Sequence, residues 1–217
     1  MILKAYGMDN DQSNYPSDLF AESHTHNSRN RKLEWKSTQD SIAHHGIAFD
    51  IFNHGVVIIG KSGVGKSELG LELIDRGHRL ICDDLVAGQL VNQQIILSAP
   101  HKFGIGFMEI RGIGFIDVNR FYGMQALCQE QKLSLVIELV DNSMLDLVNQ
   151  NRLLQLISEV DVLGISIPLY KLPIGANRNL PVLVELIVKY AIAREHGYDS
   201  HQFFIDEQSK MIEQGID

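Results

Sequence analysis

The chain of 217 residues has little of what marks several large protein classes. It has only two cysteines, Cys82 and Cys128, far apart and with no C-x-x-C pair, so neither a disulfide framework nor a zinc ribbon is expected. No secretory leader is recognisable at the start, and together these absences point to a reducing, cytoplasmic setting. Runs of lysine or arginine are also missing. With 19 basic against 27 acidic side chains, a formal charge of -8, no basic surface is expected to hold a nucleic-acid backbone. The most apolar stretch, "LPVLVELIVKYAIA" from Leu180 to Ala193, is interrupted by Glu185 and Lys189 and is too short to span a bilayer. It reads as a buried helix, and no membrane contact is expected.

What remains is a chain 45% hydrophobic and long enough for one α/β domain, though not for two catalytic domains. Residues 1–38 are polar, without sustained periodicity, and read as a disordered N-terminal arm. His24 and His26 within it read as solvated surface, and Trp35 as an anchor at its end. Residues 39–217 alternate between strand and helix patterns. "GIAFDIF" and "HGVVIIG" read as strands, "SELGLELIDR" as a helix stopped by Gly77, and "HRLICDD" as a strand with two aspartates at its end. "LVAGQLVNQQIIL" reads as a hairpin and "MEIRGIGFIDV" as a glycine-broken strand. "KLSLVIELV" follows as a strand, residues 143–159 have helical composition, and "VLGISIPL" returns as a strand before a helix stopped by Gly197. A mixed sheet flanked by helices fits this order.

The chemistry is concentrated in "GKSGVGKS", Gly60 to Ser67, which satisfies G-x-x-x-x-G-K-[ST] between an apolar strand and a helix, the context that motif requires. Gly60, Gly63 and Gly65 let the backbone curl so that the amides of Lys61, Ser62, Val64 and their neighbours converge on phosphate at the helix N-terminus. Lys66 supplies a charge for the terminal phosphates and Ser67 a hydroxyl ligand for Mg²⁺. The nucleotide is therefore expected to be bound with Mg²⁺. The loop leaves hydrolysis, small-molecule transfer and protein phosphorylation all open. Asp83 and Asp84 follow one helix later. Adjacent residues at a strand end project to opposite faces, so they are expected to do different jobs.

The run from "HHGIAFDIFNHGVVIIGKSGVGKSELGLELIDRGHRLICDDLV" to "MEIRGIGFIDV" resembles the catalytic domain of the HPr kinase/phosphorylase family, over roughly His44 to Tyr198. The resemblance implies a phosphate-loop kinase unlike eukaryotic protein kinases, architecturally related to phosphoenolpyruvate carboxykinase. It implies ATP- and Mg²⁺-dependent phosphorylation of a serine in the phosphocarrier protein HPr or a paralogue. It further implies a reverse reaction in which inorganic phosphate attacks phosphoserine and pyrophosphate leaves. The family forms hexamers, so a homo-oligomer is implied.

Carried over by residue, the resemblance makes His45 a phosphate contact, Asp84 the base, Glu109 a Mg²⁺ ligand and Arg111 a phosphate-facing or fold-orienting cation. Asp83 would orient Lys66 or metal-bound water. Three departures stand out. Only an arm occupies the place of the family's N-terminal regulatory domain. After "SLVIEL", the family's catalytic-arginine stretch reads "VDNSMLDLVNQNRLLQ", in which Arg152 is the nearest candidate. The family's phosphorylase loop reads "IPLYKLPIGANRNL", longer than usual, with Arg178 and Asn179 retained. Two other readings fit a scaffold of this kind: a non-catalytic nucleotide-sensing module, and a small-molecule kinase.

Overall fold

The computed structural model describes residues 36–37, 40–100, 104–141, 157–175 and 178–213. His24, His26, Trp35 and Arg152 lie outside the described residues, as does the segment 142–156.

The strands are β1 (Lys36–Ser37), β2 (Ser41–His45), β3 (Ile47–Ile51), β4 (His54–Gly60), β5 (Arg79–Cys82), β6 (Leu85–Val91), β7 (Gln94–Ser98), β8 (Phe107–Ile110), β9 (Gly114–Asp117), β10 (Glu130–Val140), β11 (Ile157–Val162) and β12 (Ile165–Pro173). The helices are α1 (Lys66–Asp75), α2 (Val118–Tyr122), α3 (Leu180–Glu195) and α4 (Ser200–Glu213). None is long and apolar enough to cross a membrane.

Two sheets share one strand. In the first, the order is β5-β3-β4-β10-β12-β11, with β10 parallel to both β4 and β12 and the other pairs antiparallel. In the second, an antiparallel meander runs β1-β2-β6-β7 and joins the first three residues of β10. The register of β10 against β4 shifts between Leu133 and Leu135. That irregularity lets β10 serve both sheets, because an extra residue bends a strand and flips the alternation beyond it. Leu133 accordingly packs in one core, while Leu135, Ile137 and Leu139 pack in the other.

The period-2 alternation of the strands divides the apolar side chains between two cores. Ile47, Phe49 and Ile51 with Val56 and Ile58 face α1 and α3, meeting Leu69, Leu73, Val184 and Val188. Ala48, Val57 and Ile59 face the other way and meet Ile42, Val86 and Leu97 of the meander. Strands buried on both faces explain the continuous "VVII" of β4.

Four boundaries differ from the sequence reading. Lys36 and Ser37, within the stretch read as an arm, pair with Ala43 and Ile42. "MEIRGIGFIDV" is the β8–β9 hairpin, not a broken strand, turning at Arg111–Ile113. Residues 157–159 are strand, because Ile157–Glu159 pair with Tyr170–Pro168 and pairing overrides helical composition. Finally, Tyr170–Pro173, in the stretch read as the family's loop, continue β12 beyond the "VLGISIPL" strand and are held by β10. Pro168 lies just before that pairing, in register with Glu159 of β11 alone, a position of the edge kind in which a strand accommodates proline.

An ion network ties α1 to α3. Arg76 donates from Nε and Nη2 to the two Glu185 oxygens, each at 2.6 Å, and buried His78 Nε2 lies 2.9 Å from Oε1. The paired guanidinium, with His78 beside it, holds the Glu185 carboxyl down to about 2 from an ordinary 4.5. A carboxyl depressed on folding stabilises the native state fully above its unfolded value, and that contribution is lost as pH falls from 4.5 towards 2. Removing Glu185 leaves buried His78 without its partner while Arg76, 40% exposed, returns to water, at a cost of roughly 1–3 kcal/mol. Glu185→Ala should therefore melt about 2–12 °C lower near neutral pH. The gap from the parent should narrow as the pH approaches 2, read by calorimetry; a gap constant with pH would show that packing alone was lost.

Candidate active site

The site forms where the two sheets meet. β2 turns into β3 at Gly46, and β5 passes into β6 at Asp83 and Asp84. The two segments run side by side from one sheet to the other, with Ala48 opposite Cys82 on one side of the gap and His45 opposite Leu85 on the other. At the adjacent end of β4 the chain enters Gly60–Gly65 and then α1.

Gly63 (φ 76°) and Gly65 (φ 95°) occupy the left-handed region that a side chain disfavours. Gly65 is the N-cap of α1, and no side chain caps the helix there. The first-turn amides thus face the loop, the arrangement that receives an anion. Lys66 Nζ curls back over the loop and donates to the carbonyls of Gly60 at 3.1 Å and Lys61 at 3.2 Å. Burial pulls its pKa down, against the pull of Asp83, Asp84 and Glu68.

Ser67 Oγ lies 3.3 and 3.4 Å from the two Asp83 oxygens and donates to that carboxylate. Asp83 Oδ2 also accepts the backbone N–H of Glu109 at 3.1 Å, which binds the β8–β9 hairpin to the helix start. Burial pushes the Asp83 carboxyl up to about 6. The side-chain hydrogen-bond partner of Asp83 is thus Ser67, while Asp83 also acts on the Lys66 ammonium through its charge. Because the Ser67 hydroxyl donates to Asp83, its oxygen lone pairs remain for a cation. A hydroxyl backed by the Asp83 carboxylate, at the start of the helix that follows the phosphate loop, is a hard oxygen donor of the kind Mg²⁺ takes together with water and phosphate. The residues therefore fit that ion.

Arg111, in the β8–β9 turn, lies over the loop: a Cβ built on Gly63 would sit 3.1 Å from Nη2 and 3.2 Å from Nη1 of its guanidinium. The hairpin thus brings a cation to the phosphate loop, which the sequence spacing did not reveal.

Asp84 has φ 67°, unusual for a residue with a side chain, at the centre of a three-residue turn closed by Leu85 N–H to Asp83 C=O at 2.9 Å. The turn, rather than strand alternation, separates the two carboxylates. Asp83 is directed at Ser67, and Asp84 at His45, whose Nδ1 is 3.8 Å from Oδ1. The imidazole holds the Asp84 carboxyl below the usual carboxylate range, so it is ionised at neutral pH. His45 Nδ1 also lies 3.2 Å from the Asp84 carbonyl oxygen.

The sequence-predicted residues Lys66, Ser67, Asp84, His45, Arg111 and the backbone of Glu109 therefore converge. Arg178 and Asn179 lie at the start of α3. Asn179 Oδ1 accepts from Val182 N–H at 3.4 Å and caps that helix, while Arg178 lines an apolar cavity of about 740 Å³ between β11–β12 and α3–α4.

The chain's residues 36–208 match the family model described as HPr Serine kinase C-terminal domain. Among curated proteins it is 35% identical over 161 residues to HPr kinase/phosphorylase of Chloroherpeton thalassium, covering 74% of this chain and 47% of the relative. It is 38% identical over 173 residues to that of Cupriavidus metallidurans, covering 79% and 52%. The chain spans about half the length of the curated relatives it matches. A solved structure, the HPr(Ser) kinase/phosphatase from Coxiella burnetii, is 37% identical with a TM-score of 0.64, covering 75% of this chain and 97% of that one. With residues 36–208 matched by that family model and the fold shared with the solved structure, the chain belongs to the family of HPr serine kinase C-terminal domains.

Proposed function

We propose that this domain is an ATP- and Mg²⁺-dependent serine kinase whose acceptor is HPr or a paralogous phosphocarrier. The observation that carries the reading is the junction of the phosphate loop with two aspartates of opposite environment. One is pinned to Ser67 and the other is ionised beside His45. The loop amides and Lys66 bind the nucleotide phosphates, and Ser67 and Glu109 would hold Mg²⁺, which would supply charge neutralisation at the phosphates. Asp84 takes the proton of the acceptor serine as its oxygen bonds to the γ-phosphorus and the bond to ADP breaks. In reverse, inorganic phosphate attacks phosphoserine, Asp84 returns the proton to the serine oxygen, and pyrophosphate leaves. His45 and Arg111 contact the transferred phosphoryl group or inorganic phosphate.

The names of the relatives support the acceptor, and the exposed apolar side chains Phe203, Phe204 and Ile212 of α4 support association of copies, a hexamer being the family's form. The domain would act in the cytoplasm. Incubation with ATP, Mg²⁺ and the host's HPr-like proteins should yield phosphoserine by mass spectrometry. Nucleotide binding without any turnover would favour a sensing module, and turnover without protein acceptor a small-molecule kinase.

Two further outcomes are expected. Arg111→Ala should weaken nucleotide binding by roughly ten- to a hundredfold, the worth of one or two charge-assisted hydrogen bonds, with an unchanged melting temperature because the side chain is exposed. Binding unchanged by calorimetric titration would return Arg111 to a role in the hairpin alone. Second, transfer to the acceptor should outrun pyrophosphate release even at high phosphate and low ATP. The reverse reaction holds two anions side by side, and the chain departs from the family in the stretch near Arg152 and in the segment leading to Arg178. Rapid pyrophosphate release would show that those arginines fill the role.

A further inference from the structure

A second histidine, His44, stands beside the site without a part in the chemistry above. Its Nδ1 lies 2.7 Å from the carbonyl oxygen of His45. A carbonyl only accepts, so the ring nitrogen donates and the Nδ1–H form is fixed. The same peptide group is held at its other end, where Gly46 N–H donates to the Asp84 carbonyl at 3.1 Å. It has no room to shift towards β4, since a Cβ on Gly46 would stand 2.7 Å from the Ile58 carbonyl oxygen. The Asp84 carbonyl also receives His45 Nδ1. The His45–Gly46 peptide is thus gripped by the His44 ring on one side and grips the strained Asp84 turn on the other.

We infer that His44 is a positioning residue, which through the His45–Gly46 peptide keeps Asp84 in its left-handed turn and its carboxylate beside His45. Burial lowers the His44 pKa, the bond to the His45 carbonyl opposes it, and the charges of His45 and then Lys66 add to the lowering. The inference rests on the kinase reading only in taking Asp84 as the base.

The test combines kinetics with a thermal cycle. His44→Leu should lower kcat at least about tenfold, since small displacements of a reacting group are costly, and should leave KM for ATP unchanged. His44→Asn, whose amide nitrogen can donate from the same place, should recover most of the rate. In the thermal cycle, His44→Leu should lower the melting temperature by several degrees in the parent. It should do so by clearly less in Asp84→Gly, where the turn needs no support. Equal losses in both backgrounds, or an asparagine variant that behaves like leucine in the same melts, would overturn the inference. The cycle reads without turnover, so an inactive parent protein would sink the kinase reading and leave the positioning role to be decided by the melts.

Discussion

Lys66→Ala is expected to slow phosphoryl transfer by about two to three decades while leaving the fold in place. Lys66 Nζ donates its hydrogen bonds to the carbonyls of Gly60 and Lys61. Each is worth about 1 kcal/mol to stability, so melting should fall by only a few degrees. When a nucleotide enters, the ammonium exchanges those carbonyls for phosphate oxygens on which charge grows as the reaction proceeds. A preorganised donor aimed at developing charge in a half-buried site is worth about 3–4 kcal/mol, or two to three decades in rate. Partial burial lowers the pKa of the ammonium, yet Asp83, Asp84 and Glu68 counter that trend and favour the charged form on which the effect depends. Turnover close to the parent's, measured with saturating ATP and acceptor, would remove the loop from the chemistry.

Substitution of Asp84 should separate activity from stability. Asp84→Asn keeps the shape of the side chain and loses the base, so nucleotide affinity should hold while the transfer rate falls by about two to four decades. Asp83→Asn should do less to that step. Equal losses at both positions, together with lost Mg²⁺ binding, would make the pair a metal site. Asp84→Gly should be as inactive, yet more heat-stable. A residue held at φ 67° stores about 1–3 kcal/mol, and glycine relieves that strain at an entropic cost of about 0.5–1 kcal/mol. The net gain, up to roughly 2 kcal/mol, corresponds to about 4–8 °C in melting temperature for a chain of this size. A glycine variant that melts well below the parent would mean that the turn is supported by the aspartate side chain rather than strained by it.

The phosphate loop was legible because its chemistry is local: strand, loop and helix are contiguous, and every ligand position is fixed by spacing. The strand β4 and the helices α1 and α3 were legible for the same reason. What escaped were features made by pairing between distant segments. The contact of Arg111 with the loop depends on where the β8–β9 hairpin folds, and nothing between positions 63 and 111 encodes that distance. Ile157–Glu159 have helical composition but are strand because β12 is there to receive them. For the two aspartates the expected divergence was right and its cause was wrong. The γ-like turn at Asp84, not strand alternation, turns one carboxylate to Ser67 and the other to His45. His45 itself became interpretable from sequence only through the family resemblance, since an exposed histidine after a strand carries no local signal.

The passage of β2–β3 and β5–β6 across the gap between the sheets has a consequence for modularity. The phosphate loop belongs to the parallel part of the molecule, whereas His44 and His45 belong to the meander, and the two aspartates span the joint. No cut through the chain separates a nucleotide-holding half from a proton-handling half. A loop transplanted with β4 and α1 alone into another scaffold would carry Lys66 and Ser67 without a base. Recombination between relatives would have to exchange both sheets together to keep the chemistry whole.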